Sequence, residues 1–397
     1  MRRNGMPSET TNSRVFSPAA LTESENDKFE WYRGQLHAHT NVHDKSDVVQ
    51  WYKEHGYDFV AVTDLNYATP VEGLGSVYNE PEQFLVMQGI ETSTSHDGKI
   101  HDVMGYGGTP RKVRFDSVVS PVRDDFFDPA TTQQPAESRA VTVPSEPATE
   151  TYTLQATRLA EAGCLPALAH PNFTWAASAE DILAVDSDVL SHFEMITTEP
   201  GMNDNGGGGH PSTMEMWDEV LSTGRTLYAI AADDSHHFDR LGPETRPVEG
   251  EMRTHAPSLP GRTSVFVRAH ELSTEAILEG IERGDFYSVR HKLTLPIEFE
   301  EIAVDETGIR LGLPTDSKDI GWTSDTHNPT RYRTTFIGTK KKATDDSQEN
   351  TAEVLQTDTS STPSYSFTGS ELYVRARVEG SDGAVAWTQP VFLDGRH

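Results

Sequence analysis

Tyr57-Asp58-Phe59-Val60-Ala61-Val62-Thr63-Asp64 decides the fold: a short apolar run ends in a polar pair. A run of this length, bounded by polar residues, reads as a buried strand. The same phrase recurs along the chain. Phe84-Leu85-Val86-Met87 leads towards Glu91, Leu165 to Ala169 runs into His170-Pro171, Phe193 to Ile196 into Glu199-Pro200, and Leu227 to Ala231 into Asp233-Asp234. Helical patterns fill gaps between runs, at Ser46 to His55, Tyr152 to Ala162 and Pro211 to Ser222. Alternating strands and helices imply a mostly parallel sheet. An open doubly wound sheet and a β/α barrel both gather ligands at strand C-termini. Five or more strands feeding one constellation favour the closed or nearly closed barrel.

The chain has 397 residues, and two domains are the natural expectation. Residues 1 to 30 read as a disordered polar tail, 31 to 294 as the barrel and 295 to 397 as a β-rich module. In the module Leu372, Val374, Ala376 and Val378 alternate with Tyr373, Arg375, Arg377 and Glu379, and Ser381-Asp382-Gly383 makes a turn. Gly108 to Glu150, Gly201 to Gly209 and Lys340 to Pro363 read as long surface loops. Net charge is −29, from 62 acidic and 33 basic side chains. Such a field repels nucleic acid and anionic membranes, so neither is expected as a partner. Only ten of the cations are Lys, a pattern of salt-adapted (halophilic) surfaces as well as of ordinary acidic proteins. Cys164 is the single cysteine, which rules out an intrachain disulfide and a thiolate cluster. The N-terminus lacks an apolar signal core and no run of 18 apolar residues occurs, so a soluble cytoplasmic protein is expected.

The chemistry sits at the strand ends. His37-Ala38-His39 closes the first strand, and residues two apart in a strand point the same way, so both imidazoles reach one cation. Glu91 follows another strand; its two oxygens can bridge two ions. The strand-like run around His101 favours it over His96 as the next ligand. His170-Pro171 ends a further strand, and Asp234-Ser235-His236 repeats the two-residue spacing, with Asp233 and His237 as neighbours. Each signal is weak alone, since paired histidines are commonplace on surfaces. Their order along successive strands is not. Histidine and carboxylate donors without thiolates suit Zn, Mn or Fe.

At these residues the chain resembles the PHP (polymerase and histidinol phosphatase) metallohydrolase family. Gln35-Leu36-His37-Ala38-His39-Thr40 is similar to its opening motif, with Asp44 at its next acid, and Tyr57 to Asp64 to its second. Ala386-Trp387-Thr388-Gln389-Pro390-Val391 resembles the tail of the carbaryl-hydrolase-like branch. The resemblance implies a distorted (β/α)7 TIM-like barrel, α/β in class, with a smaller C-terminal β-rich module. It implies that His37, His39, Glu91 and Asp234 hold one ion and that Glu91, His101 and His170 hold a second. Asp44 and His236 would belong to a third. The second motif of the family ends in Thr-Asp-His, whereas here it is Thr63-Asp64-Leu65, so the third position lacks a histidine and is either empty or weak and completed by His43 or water; two divalent ions are expected.

The expectation is a hydrolase that uses a metal-bound hydroxide on a small-molecule substrate, a phosphate ester first. Glu91 is the shared carboxylate, and adjacency makes Asp64 and His237 the candidate proton shuttles. Arg240, Arg262, Arg290 and Lys292 are candidate phosphate clamps beside their reading as ordinary surface charge. A carbamate, ester or amide hydrolase and a non-catalytic metal-binding barrel are the alternatives.

Overall fold

The computed structural model describes residues 29–40, 44–110, 148–238, 258–291, 296–314, 330–341 and 351–393. The expected tail up to residue 28, most of the 108–150 insert, part of the 340–363 insert, and Arg240 and Lys292 lie outside them. The first half of the chain runs β1 (Glu30–Ala38), α1 (Lys45–Glu54), β2 (Phe59–Val62), α2 (Glu72–Tyr78), β3 (Leu85–His96), β4 (Lys99–Tyr106), α3 (Ala148–Glu161), β5 (Leu165–Leu168), α4 (Ala179–Ala184) and β6 (His192–Thr197). There follow α5 (Thr213–Ser222), β7 (Tyr228–Ala232), β8 (Thr263–Ala269), α6 (Thr274–Glu282) and β9 (Phe286–Arg290). The remainder is all strand: β10 (Glu301–Asp305), β11 (Gly308–Gly312), β12 (Tyr332–Lys340), β13 (Glu353–Asp358), β14 (Ser364–Ser366), β15 (Glu371–Gly380), β16 (Val385–Thr388) and β17 (Val391–Phe392).

One mixed sheet follows the order β13-β12-β15-β16-β9-β8-β1-β2-β3-β4-β5-β6-β7, with β17 on β15; β10, β11 and β14 form a second, three-stranded sheet. This departs from the closed, mostly parallel barrel that strand-helix alternation leads one to expect. The large sheet runs from edge to edge, and β1 meets the β7 side through a parallel bridge from Ala38 to Ser235, where the His39 N–H donates to the Ser235 carbonyl at 3.1 Å. The parallel run is interrupted at β4, which is antiparallel to both β3 and β5. The cause is local. Asp97 and Gly98 both have positive φ, 49° and 77°, which is the geometry of a two-residue hairpin turn and folds β4 straight back on β3.

The strands of the first half are buried on both faces, as parallel strands under helices must be. Gly34 lies against the Phe59 ring so closely that any Cβ there would overlap it. The helices begin where the sequence supplies caps: Asp44 accepts from the Ser46 N–H at the head of α1, and Ser212 with Glu215 forms a reciprocal capping box on α5.

Of the C-terminal strands, β12, β13, β15, β16 and β17 are hydrogen-bonded into the large sheet, β16 pairing with β9. The apolar side of β15, Val374, Ala376 and Val378, shares a core with Phe336 of β12 and with Ile309 and Leu311 of the second sheet. Its other side is buried too. The Arg375 guanidinium lies 4.5 Å over the Trp217 ring and grips Asp218 of α5 at 2.7 and 2.8 Å, and the Tyr373 hydroxyl donates to the same carboxylate at 2.9 Å. Arg375 is only 1% exposed. Removing one partner of such a pair leaves an uncompensated buried charge, which costs about 3 kcal/mol or more. Asp218→Ala is therefore expected to lose about 3 kcal/mol in urea denaturation. A change under about 1 kcal/mol would mean that this pair does not lock β15 to α5.

Candidate metal centre

Four ligand-type atoms converge beyond the end of β1. The Nε2 atoms of His37 and His39 are 3.1 Å apart, and both face Asp234 Oδ1, at 3.2 and 3.0 Å. Glu91 Oε2 stands 3.7 Å from His37 Nε2 and 3.4 Å from His39 Nε2. All four residues are at most 1% exposed. Ligands bound tetrahedrally to zinc at 2.0–2.1 Å are about 3.4 Å from one another. The five separations here bracket that value, so the donor set fits a cation at its centre. Glu91 Oε2 and Asp234 Oδ2 are buried with no hydrogen-bond partner, as oxygens meant for a cation would be.

A second group adjoins the first. Glu91 Oε1 lies 3.1 Å from His170 Nε2, Asp102 Oδ2 3.5 Å from it, and Asp234 Oδ2 3.9 Å. Glu91 and Asp234 thus each turn one oxygen to each group. A third group, Glu199, Asp234 and His236, sits towards solvent, with His236 Nδ1 3.5 Å from Asp234 Oδ1 and 4.0 Å from Glu199 Oε1.

Glu194, within β6, supports both inner groups. Its Oε1 accepts a hydrogen bond from His37 Nδ1–H at 2.8 Å, which in the neutral imidazole leaves Nε2 to present its lone pair. Its Oε2 accepts from the His170 backbone N–H and from the Thr197 hydroxyl, each at 3.2 Å. Asp234 sits at φ 48°, in the left-handed region that a non-glycine residue adopts at a cost. The Ser258 hydroxyl donates to its carbonyl and helps hold it there.

Burial would lower the His37 pKa, but Asp234, Glu194 and Glu91 outweigh it and hold the imidazole well above its ordinary value. Burial likewise opposes charge on His170, yet the hydrogen bond to Glu91 and the carboxylates of Asp102 and Asp234 bring it up to about 9. Burial would raise Glu91 and Asp234, but the imidazoles keep both well below the usual carboxylate range.

Several residues that the sequence singles out stand elsewhere. His101 is on the opposite face of β4 from Glu91: its ring packs edge-on to Tyr152 at 5.1 Å, and burial lowers its pKa to about 4. Asp102 occupies the inner face instead. Asp44 is exposed and caps α1. Asp64 accepts from the Thr40 N–H at 2.5 Å, the Thr40 hydroxyl at 2.7 Å and the Thr69 hydroxyl, which makes it a clasp between β1 and the loop after β2. His237 Nδ1 accepts from the Ser258 N–H at 3.1 Å and anchors that loop. Leu65 makes a backbone bridge to Glu91. Asp102, Glu194 and Glu199 are the cluster members that sequence reading did not assign as ligands.

The glycine-rich 201–209 loop is tied to this region. The Asp204 carboxylate accepts from the Thr197 N–H at 2.9 Å, and Asn172 and Asn203 exchange side-chain to carbonyl bonds at 3.1 and 3.2 Å. Burial pushes Asp204 up to about 7, with His170, Glu194 and Arg290 all acting on it.

No family model and no curated protein matches the chain. It is similar to a solved two-domain protein from Bacteroides vulgatus ATCC 8482, described as containing a PHP-like metal-dependent phosphoesterase, at 12% identity over 98% of this chain and 99% of that one, with a TM-score of 0.40. A Bifidobacterium adolescentis ATCC 15703 structure described as a metal-dependent phosphoesterase is similar at 14% identity over 51% of this chain and 86% of that one, with a TM-score of 0.32. An amidohydrolase structure from Chromobacterium violaceum, with bound sulfate and no metal, is similar at 14% identity over the same shares, 51% and 86%, with a TM-score of 0.33.

Two predictions follow from this geometry. His170 titrates near 9 in the fold against 6.5 ordinarily, so the folded, metal-free chain binds that proton more tightly than the unfolded chain. The resulting stabilisation is complete below about 6.5 and fades as pH rises through about 9. With chelator present, the denaturation midpoint is expected to fall between those pH values; with a saturating divalent ion, which requires neutral imidazole, the fall should vanish. A flat profile without metal would contradict this. Asp64→Ala strands the buried Thr40 N–H and should cost about 1–3 kcal/mol while leaving metal content unchanged. Loss of bound metal with unchanged stability would restore Asp64 to the chemistry.

Proposed function

We propose that the chain is a metal-dependent hydrolase acting on a small-molecule ester, with phosphate esters as the first substrate class. One observation carries this reading. His37, His39, Glu91 and Asp234 bring four donor atoms together in a buried space at separations of 3.0–3.7 Å that suit a cation, beside a second group that shares two of the same carboxylates. In the proposed centre these four residues hold one divalent ion, and Glu91, Asp102, Asp234 and His170 hold another. Cations bound there would acidify a water and draw charge from the scissile bond.

The protein's own part is arrangement and proton handling. Glu91 fixes the spacing of the two positions, since one rigid carboxylate reaches both. Glu194 sets the tautomer of His37 and braces the backbone of His170. His236 and Glu199 line the outer side of the cluster, 14% and 21% exposed, so proton exchange with solvent is assigned to this pair rather than to Asp64 or His237, with His236 Nδ1 3.0 Å from the Asp234 carbonyl oxygen. Asp64 and His237 are engaged in holding loops.

The test pairs metal content with turnover. Elemental analysis of the purified chain should find about two divalent ions, and Glu91→Ala should lose most of both. Phosphomonoesters, phosphodiesters and aryl carbamates are then assayed side by side with and without chelator. Metal-dependent turnover of phosphate esters, abolished in Glu91→Ala, is the expected result. Turnover of carbamates alone would move the chain to amide and carbamate chemistry. Bound metal without turnover of any of these would point to a non-catalytic centre.

A further inference from the structure

The two inner groups are not chemically alike. The first has two imidazole nitrogens and two carboxylate oxygens, from His37, His39, Glu91 and Asp234. The second has one imidazole nitrogen, His170 Nε2, with Glu91 Oε1, Asp102 Oδ2 and Asp234 Oδ2 within 3.1, 3.5 and 3.9 Å of it. We infer that the second position is built for a harder ion than the first, and that the chain is a mixed-metal protein with zinc between His37 and His39 and manganese beside Asp102.

The asymmetry comes from the register of β3 on β4. Ser93 pairs with Asp102 and Glu91 with Met104, so Asp102 and Glu91 rise from the same face of the hairpin. Thr94 pairs with His101, whose imidazole is carried to the other face, against Tyr152. The Gln155 side chain holds the His101 carbonyl there, at 3.1 Å. Exchanging the two residues would need a one-residue slip, which reverses every side chain on the strand. The hairpin turn at Asp97-Gly98 forbids that slip, so the second position keeps a carboxylate where an imidazole stands one residue away.

Donor chemistry then sorts the ions. Imidazole suits zinc, and carboxylate oxygen suits manganese and magnesium. The first position is strengthened further because Glu194 accepts a hydrogen bond from Nδ1–H of His37, which raises the basicity of Nε2. Among the described residues the second position shows no such device: the imidazole of His170 meets Asp102, Glu91 and Asp234 through Nε2, and Glu194 touches its backbone. Zinc supplied in limiting amount should therefore go to the first position and leave the second to manganese. This inference rests on the metal-dependent reading above, yet it concerns ion selection rather than turnover.

The experiment loads the chelator-stripped full chain with one equivalent of zinc and an excess of manganese, removes unbound ions and reads metal content together with the manganese electron paramagnetic resonance spectrum. The expected result is one zinc and one manganese per chain, with the spectrum of an uncoupled manganese ion. Asp102→Asn keeps an oxygen but removes the negative charge of a direct donor. Loss of an outer partner of a metal ligand already costs about 10–100-fold in affinity, so this variant should weaken manganese binding by at least about tenfold and keep its zinc. Asp102→His should exchange manganese for a second zinc. Circular dichroism and thermal melting check that the variants fold, and the competition in the unaltered chain stands without them. Two manganese ions, or zinc spread over both positions at one equivalent, would overturn the inference while leaving the metal-dependent reading intact, as would unchanged manganese affinity in Asp102→Asn. Retention of no ion at all would overturn both.

Discussion

Among the described residues, Glu91, Asp102, Glu194 and Asp234 are buried beside His37, His39 and His170, with Glu199 and His236 on the outer side. Even with the three buried imidazoles protonated, the four buried carboxylates outnumber them, and the outer pair of one acid and one imidazole does not change that difference. Burying an unmatched charge costs several kcal/mol, and ionised groups in such a place are paired or coordinate a cation. Two divalent ions would balance the four carboxylates and leave the imidazoles neutral, the form in which they ligate. The raised pKa of His37 and His170 reflects the same imbalance, because protons are drawn to where positive charge is required. The stability, the acid–base behaviour and the proposed chemistry of the chain all follow from that charge requirement.

The surrounding framework keeps these charges in place by occupying the polar groups nearest to them. Asp233, next to the ligand Asp234, accepts from the backbone N–H groups of Gly261, Arg262 and Thr263 and from the hydroxyls of Thr263 and Tyr52. That knot fixes the start of β8 against the end of β7 and sets up the positive φ of Asp234. Asp64 does the same for the other rim, pinning Thr40 after the second histidine of β1. Neighbouring acids of the same type therefore have opposite tasks. Asp64 and Asp233 spend their oxygens on protein donors, whereas Glu91 and Asp234 keep buried oxygens clear of them.

Much of this was legible in the sequence because strand ends announce themselves. The His37, His39, Glu91, His170, Asp234 and His236 side chains do gather, and each follows an apolar run or lies in one. What was not legible depended on phase. Asp97-Gly98 is a strong hairpin signal, and reading it would have placed 93 opposite 102 and 91 opposite 104, which puts Asp102 on the inner face. Taken as a lone apolar run, the same strand offers His101, the better ligand by residue type. Glu194 lies inside an apolar strand, where a carboxylate has no visible partner until β1 is laid beside it in space. The antiparallel pairing of β5 on β4 and the joining of β16 to β9 are likewise contacts between distant segments, so the expected barrel gave way to a mixed sheet that is not closed.

The leucine at position 65 finds its explanation in the same geometry. Its backbone bridges to Glu91, and the Asn66 N–H donates to the Glu91 carbonyl at 2.6 Å, so this turn holds the shared carboxylate by its main chain. That task needs no particular side chain at 65. The outer group draws its donors from the far side of the cluster, where Glu199 after β6 joins Asp234 and His236 after β7. His236 also stacks on His39, with ring centroids 4.0 Å apart, so the outer group is coupled mechanically to the first position. An apolar side chain at 65 therefore leaves untouched the backbone contacts that keep Glu91 between its two sets of imidazoles.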